Sequence, residues 1–513
     1  MSHAGPSAGS TPRFATIAAT AAHHAEVRPD RIAVECGGRQ LTFRELHERS
    51  DDTAQTLLAD GITPGARVGY LARDTEHYHE LLLACAKIGA VLVPVDPRLT
   101  PVEVEHVLRD AEVALLVTEP ERRPGVERLR AALPGLRTVL DLGLPARSRP
   151  GASIPAATAG PGRPLMQMYT SGTTGAPKGV VLGEGSFWAV NDLLARHRLD
   201  WLELRADDRI LHVLPGHHIG PPWWFLQGFR AGATSVIGQG FEGARTLALI
   251  RDGGITNTMM VPSMLRILLD EPGAGRDAFV GLRKVVYGGS PIPEELLRRC
   301  LDVMGCQFAQ IYGLTETCAS AVCLPPSDHV PGSSRLTAAG RPYPGVAVQI
   351  VDRAGHPLPA GQVGEVYLDT PAVMDGYWRR PRDTESALAG GWLHTGDAGY
   401  LDEDGYLYIR DRIKDVVLVA GENVYPAEVE KALGRHPAVA EVAVVGVPDQ
   451  VRGEAVKAFV VPRPDHQPSP RELRTFLKDR LADYKAPTEY AFVAALPRNA
   501  SGKVLRRQLR DLS

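Results

Sequence analysis

Tyr169-Thr170-Ser171-Gly172-Thr173-Thr174-Gly175-Ala176-Pro177-Lys178-Gly179 is the stretch on which the reading of this chain turns. Its glycines let the backbone come close to an anion and take up positive φ. Thr170, Ser171, Thr173 and Thr174 supply hydroxyl donors, and Lys178 supplies an ammonium. Successive backbone N–H groups in such a turn form a concave anion site. The loop is not of the Walker kind, which needs Gly-Lys-Ser/Thr opening a helix, because Pro177 precedes Lys178 and Gly179 follows it. A flexible Gly/Thr turn without a ligand is the plainer alternative. The density of hydroxyls together with the lysine favours a phosphate loop.

Outward from this loop the chain alternates strand and helix. Ile32 to Cys36 is a short apolar run, and Thr42 with Glu45 forms a capping box opening a helix to about Ala59. Val68 to Leu71 reads as a strand, Glu76 to Ile88 as a helix, and Ala90 to Val95 as a buried strand. Thr100-Pro101-Val102-Glu103 is a second capping box with proline at the first helical position, and Val113 to Thr118 is the next strand. Repeated βα units predict a parallel sheet covered by helices. Residues 1–13 are small and polar and are expected to be disordered. Ser148 to Pro164 has a linker's composition. Near Arg410 the character changes. A unit of about 100 residues follows, with Tyr425 to Leu433 helical, strands at Val439 to Val445 and Val456 to Val461, and a capped helix opened by Ser469 and Glu472. The expected fold class is α/β: a large multi-sheet domain over residues 14–410 and a smaller, mobile α+β cap over 411–513.

At 513 residues the chain is too long for one core. Its 44% hydrophobic and 23% charged residues are ordinary for a globular protein. A net charge of −3 offers no field to hold a nucleic acid. No stretch is apolar enough for a signal peptide or a membrane span, which makes the cytoplasm the expected compartment. Cys36, Cys85, Cys300, Cys306, Cys318 and Cys323 contain no CxxC pair and are read as reduced thiols, with a zinc site on Cys318 and Cys323 disfavoured.

Further motifs follow the loop in order. Tyr287-Gly288-Gly289-Ser290-Pro291-Ile292-Pro293 comes after the apolar strand Lys284 to Val286, and paired glycines there let a flat ring lie against the backbone. Next come Gln310-Ile311-Tyr312-Gly313-Leu314-Thr315-Glu316, Thr395-Gly396-Asp397, Asp411-Arg412-Ile413-Lys414-Asp415, Val419-Ala420-Gly421-Glu422-Asn423 and Pro497-Arg498-Asn499-Ala500-Ser501-Gly502-Lys503. Taken singly, these are a turn, a solvated charge run and a terminal loop.

Together, and in this order, they resemble the adenylate-forming superfamily of acyl-CoA synthetases, luciferases and peptide-synthetase adenylation domains, over about residues 14 to 510. The resemblance implies ATP binding through Thr170, Ser171, Gly172, Thr173, Thr174 and Lys178. It places Gly288, Gly289 and Ser290 beside adenine, in one site with Gln310, Tyr312 and Gly313, the tyrosine stacking near the base. Thr315 would touch the α-phosphate and Glu316 would hold Mg²⁺, a cation that takes few hard protein oxygens and shares the rest with phosphates. Asp397 would accept from both ribose hydroxyls, Arg412 would make a second ribose or phosphate contact, and Lys414 would be the hinge. Lys503 would be the catalytic lysine between the attacking carboxylate and the α-phosphate. Gly421 would line a pantetheine tunnel, although Ala420 stands where the family has another glycine.

Leu214-Pro215-Gly216-His217-His218-Ile219-Gly220-Pro221-Pro222-Trp223-Trp224 aligns with the family's acyl-site segment, His218 taking its histidine place and His217 replacing an aromatic. A metal role for the two histidines is disfavoured, since neighbouring side chains on an extended segment point apart. The tryptophans suit either the pocket or the core. No aspartate lies between Gly216 and Trp224, where amino-acid-activating members keep one, so a plain aliphatic or aromatic acid is expected. Tyr70 to Tyr78 resembles bacterial fatty-acyl-CoA ligases.

The expected function is therefore an ATP- and Mg²⁺-dependent acid–thiol ligase that forms an acyl-AMP and passes the acyl group to coenzyme A. The alternative is a specialised-metabolism enzyme that passes it to a carrier protein or an amine, or activates another oxyanion such as nitrite. Both monomer and homodimer fit. A nucleotide-binding regulator with a dead site would lack Lys503 or Glu316, and both are present.

Overall fold

A computed structural model describes residues 16–143, 154, 160, 162–170, 177–420, 422–478, 480–498 and 504–512. The expected N-terminal tail, most of the linker, Ser171 to Ala176 of the phosphate loop, Gly421 and Lys503 lie outside the described residues.

Local signals become structure where they are strongest. The side chains of Thr42 and Thr100 each accept from the backbone N–H three residues on, and Glu45 and Glu103 reach back to complete both capping boxes. The helices they open run over Phe43–Ala59 and Pro101–Asp110. Glu76–Ile88 is helical as read, closed by Gly89 at φ 69°. Ser469 caps Pro470–Leu477 through Glu472 N–H.

Among the described residues the strands form four sheets. One has nine strands, and its middle is parallel: Gln307–Tyr312, Lys284–Gly288, Asn257–Met260, Arg209–His212, Thr234–Ile237 and Ile32–Cys36 lie side by side. A seven-stranded sheet carries Val91–Pro94, Arg67–Leu71, Val113–Thr118 and Thr138–Asp141 in parallel. Beside them is the antiparallel hairpin Pro164–Thr170 and Lys178–Gly183. That hairpin pairs Thr170 with Lys178, the described residues at either side of the expected phosphate loop.

A four-stranded antiparallel sheet runs from Ala347–Val351 to Leu407–Arg412. Beyond the short turn Ile413–Asp415 a separate sheet begins with Val417–Val419, built on the long hairpin Val439–Asp449 and Gly453–Pro462 and covered by Pro426–Leu433 and Pro470–Leu477. Its core of Val417, Val424, Val429, Leu433, Val444, Val460, Leu473 and Leu477 is separate from that of the larger part. The chain is thus mixed α/β, with a large N-terminal domain and a smaller C-terminal one. No described helix is long and apolar enough to cross a membrane.

Candidate active site

Parallel strands gather their carboxyl ends at one edge, and loops there are placed without straining the sheet. Lys284–Gly288 delivers Gly288 and Gly289, and the neighbouring Gln307–Tyr312 delivers Gln310, Tyr312, Gly313 and then Thr315 and Glu316 in a short 3₁₀ turn. Glycine is required at both positions of the first pair. A Cβ on Gly288 would lie 2.5 Å from the Ile311 carbonyl oxygen, and Gly289 sits at φ +79°.

Two clusters close around this edge. In the first, Tyr312 donates its hydroxyl to Asp397 Oδ2 at 2.7 Å, and Arg412 Nε lies 2.8 Å from Asp397 Oδ1. Asp397 and Arg412 face each other across adjacent strands, and Arg412 Nη1 also donates to the Thr395 carbonyl at 3.0 Å. Asp397 is 5% exposed, so its charge is held by these partners and by little water.

In the second cluster, Lys178 Nζ lies 3.0 Å from Asp383 Oδ2 and 5.3 Å from the centroid of the Tyr377 ring, while Tyr377 donates to Glu316 Oε1 at 2.8 Å. Tyr377 is there because Gly376–Tyr377 pairs with Val180 and Val181, just past Lys178. Lys178, at the mouth of the hairpin, and Glu316, in a distant turn, are thus joined through Tyr377. Sequence reasoning missed Tyr377 and Asp383, which carry no motif of their own. Lys414 is exposed in the Ile413–Asp415 turn, between the buried Asp411 and Asp415.

The segment 214–224, expected to border an acyl group, corrects one expectation. Pro215 to His218 is a turn, with His218 N–H donating to the Pro215 carbonyl, and not an extended stretch. The His217 and His218 rings therefore lie together, centroids 4.6 Å apart. Burial, with His218 alongside, pushes His217 down to about 3, and burial also lowers His218, so both are neutral imidazoles at pH 7. His217 Nε2 is 3.1 Å from Arg98 Nη2 and 3.4 Å from Asp96 Oδ2, while His218 Nε2 is buried with no hydrogen-bond partner. Among the described residues no group of three or more His, Cys, Asp or Glu is arranged to hold a metal, and the six cysteines are free thiols.

An aspartate does reach this loop, from far along the chain. Asp74 Oδ2 accepts from Gly216 N–H at 2.8 Å, and Tyr78 donates to the Gly216 carbonyl at 2.8 Å, so both backbone groups of Gly216 are clamped. Burial raises the Asp74 carboxyl to about 6. A carboxyl raised above its unfolded value costs stability as pH climbs from near 4 through 6. Asp74→Asn keeps an acceptor for Gly216 but cannot ionise. It is expected to be more stable than the parent at pH 8, by on the order of 1 kcal/mol after screening. Thermal melts should show that gain vanish below pH 4, and a gain independent of pH would refute it.

The chain is similar to known proteins along nearly its whole length. The family model of the AMP-binding enzyme matches residues 21–378, and that of the AMP-binding enzyme C-terminal domain matches residues 428–503. The chain is 52% identical over 504 residues to the fatty acid–[acyl-carrier-protein] ligase ScoC of Streptomyces coeruleorubidus, covering 98% of this chain and 97% of that one. It is 36% identical to a feruloyl-CoA synthase of an Amycolatopsis species, over 95% of this chain and 96% of that one. Among solved structures it is similar to the o-succinylbenzoate CoA synthetase of Bacillus subtilis in complex with its acyl-adenylate intermediate. The TM-score is 0.85 at 32% identity, over 96% of this chain and 98% of that one.

Proposed function

Because the chain belongs to the AMP-binding enzyme family, we propose that it joins a carboxylic acid to AMP at this site and then delivers the acyl group to the thiol of coenzyme A. The observation that carries the reading is the pair of clusters at one sheet edge: Tyr312–Asp397–Arg412, suited to a ribose, and Lys178–Tyr377–Glu316, suited to phosphates.

Asp397 accepts from the ribose hydroxyls, with Arg412 and Tyr312 fixing its orientation. Gly288, Gly289 and Ser290 leave backbone open to the base, with Gln310, Tyr312 and Gly313 around it. The Thr170 to Lys178 loop receives the β- and γ-phosphates, and Thr315 the α-phosphate. Glu316, half-buried and held by one hydroxyl, fits Mg²⁺ as a single protein carboxylate. The ion supplies neutralising charge to the triphosphate. A carboxylate oxygen of the acid attacks the α-phosphorus, the bond to the bridging oxygen breaks, and pyrophosphate leaves with the electron pair. Lys503 offsets the charge that gathers there. A thiolate then attacks the acyl carbon and AMP departs. His218, neutral and unpartnered on its Nε2, borders the acyl group. Lys414 is the pivot that exchanges Lys503 for the Gly421 loop between the two steps.

A carrier-protein thiol is the second reading, favoured by the 52% identity to an acyl-carrier-protein ligase. Purified protein with Mg²⁺ and a panel of acids should exchange labelled pyrophosphate into ATP. Adding CoA, or a phosphopantetheinylated carrier protein instead, should then release AMP and form the thioester. Exchange with no acid would refute the proposal. Thioester on the carrier alone would replace CoA as the acceptor.

A further inference from the structure

One short segment, 374–384, holds both charges of the cluster formed by Lys178 and Glu316. Met374 N–H donates to the Glu316 carbonyl at 2.8 Å, and the Tyr377 hydroxyl donates to Glu316 Oε1 at 2.8 Å. On its other side the segment runs beside the strand that begins with Lys178. Trp378 N–H donates to the Gly179 carbonyl at 2.7 Å, and Gly376 and Tyr377 pair with Val181 and Val180. Asp383 then reaches back to the Lys178 ammonium at 3.0 Å. The segment is itself pinned. The Trp378 indole N–H donates to the Asp110 carbonyl at 3.0 Å, and the Arg67 guanidinium lies 3.4 Å from the centroid of its ring. Thr384 Oγ1 accepts from Tyr377 N–H at 2.9 Å, and Gly376, at φ +146°, has no room for a Cβ, which would lie 2.8 Å from Thr384 Cγ2.

This packing keeps two opposite charges from meeting. An ammonium and a carboxylate drawn into one cluster would ordinarily pair and neutralise each other. Here Lys178 pairs with Asp383 and not with Glu316, while Tyr377 meets both, its ring centroid 5.3 Å from Lys178 Nζ and its hydroxyl on Glu316. Burial, with Glu316 alongside, pushes the Tyr377 hydroxyl well above its usual range, so it stays a donor. It takes only Oε1. Among the described residues no other hydrogen bond or ion pair reaches the Glu316 carboxylate, which leaves Oε2 open. The Asp383 side chain is 38% exposed, so its hold on Lys178 is weak and a triphosphate can displace it.

Resting on the adenylation reading above, we propose that Tyr377 and Asp383 are positioning residues for the nucleotide and its metal. The Tyr377 hydroxyl fixes one oxygen of Glu316 so that the other faces Mg²⁺. Asp383 keeps the Lys178 ammonium in place until ATP enters, and then yields it to the phosphates. Both act through a neighbour and not on the reacting atoms.

The test is calorimetric binding of ATP to the whole chain, with EDTA or with excess Mg²⁺, which reads the metal without turnover. The parent should bind ATP more tightly with Mg²⁺. A group that orients a metal ligand is typically worth about 10- to 100-fold in metal affinity. Tyr377→Phe keeps the ring. It should cut the Mg²⁺-dependent gain by about tenfold and leave metal-free binding within about twofold of the parent. In pyrophosphate exchange it should raise KM for MgATP far more than it lowers kcat. Tyr406→Phe removes a similar bond, to Asp328 at 2.7 Å, and should leave the gain unchanged. Asp383→Asn should tighten metal-free ATP about two- to fivefold, the worth of one exposed ion pair. No gain in the parent, a gain unmoved by Tyr377→Phe, or one lost equally in Tyr406→Phe would overturn the role of Tyr377. Unchanged or weaker metal-free binding in Asp383→Asn would overturn that of Asp383. Each of these results would leave adenylation standing. A parent that binds no ATP, with or without Mg²⁺, would overturn the nucleotide site and this inference with it.

Discussion

Lys503→Ala is expected to slow acyl-adenylate formation by roughly 10² to 10³, the range for loss of one preorganised electrostatic contact in a water-poor site. Thioester formation from supplied acyl-AMP should fall far less. The asymmetry follows from the chemistry. In the first step an anion approaches an anion, and pyrophosphate carries more charge away from the α-phosphorus, so a fixed cation lowers that barrier directly. In the second step a thiolate attacks an acyl carbon that is already activated. Arg412 is held 2.8 Å from Asp397, and Lys178 is taken up by the β- and γ-phosphates in the proposed complex. Neither is placed to substitute for a missing ammonium. Pyrophosphate exchange measures the first half-reaction, and acyl-AMP with CoA measures the second. Equal losses in both would refute a lysine that serves adenylation alone.

What was legible in the sequence was local or serial. Thr42 with Glu45, Thr100 with Glu103 and Ser469 with Glu472 announce helix starts because a cap is settled within one turn. The strands that end in Gly288 and Tyr312 were legible as apolar runs closed by glycine. What brings the motifs together is not local. Tyr312 meets Asp397 across 85 residues, Tyr377 meets Glu316 across 61, and Asp74 meets Gly216 across 142. Nothing in the sequence around Tyr377, Asp383 or Asp74 says which loop each will reach. The order of strands in the sheet decides it. The histidine pair failed for a related reason: Pro215 and Gly216 make a turn, and an alternation rule for extended chain does not apply to it.

Arg506→Met is the other substitution expected to have a large effect, this time on stability. Arg506 opens the short helix Arg506–Asp511, three residues after Lys503, and reaches three carboxylates: Glu430 at 2.8 Å, and Asp411 and Asp415 at 3.8 Å each. Arg510 adds a contact to Asp415 at 2.7 Å. The side chains of Asp411 and Asp415 are only 4% and 10% exposed, and burial already raises the carboxyls of Asp411 and Glu430. Two guanidiniums thus face three acids, and removing the central one leaves largely buried charges without compensation. Breaking a buried pair from one side typically costs about 3–5 kcal/mol. The sign with pH is fixed by the same groups. Without Arg506 their folded-state pKa values rise further, so the folded variant holds more protons than the unfolded chain. Its deficit should be largest near pH 8 and narrow toward pH 5 as the acids neutralise. Thermal melts of parent and variant at both pH values decide it, and a deficit that does not change with pH would mean the arginine acts by packing alone. Because Asp411 and Asp415 flank Lys414, and Arg506 follows Lys503, this ion cluster ties the segment bearing the proposed catalytic lysine to the proposed pivot. Loss of Arg506 should therefore depress adenylation even at temperatures where the variant is fully folded.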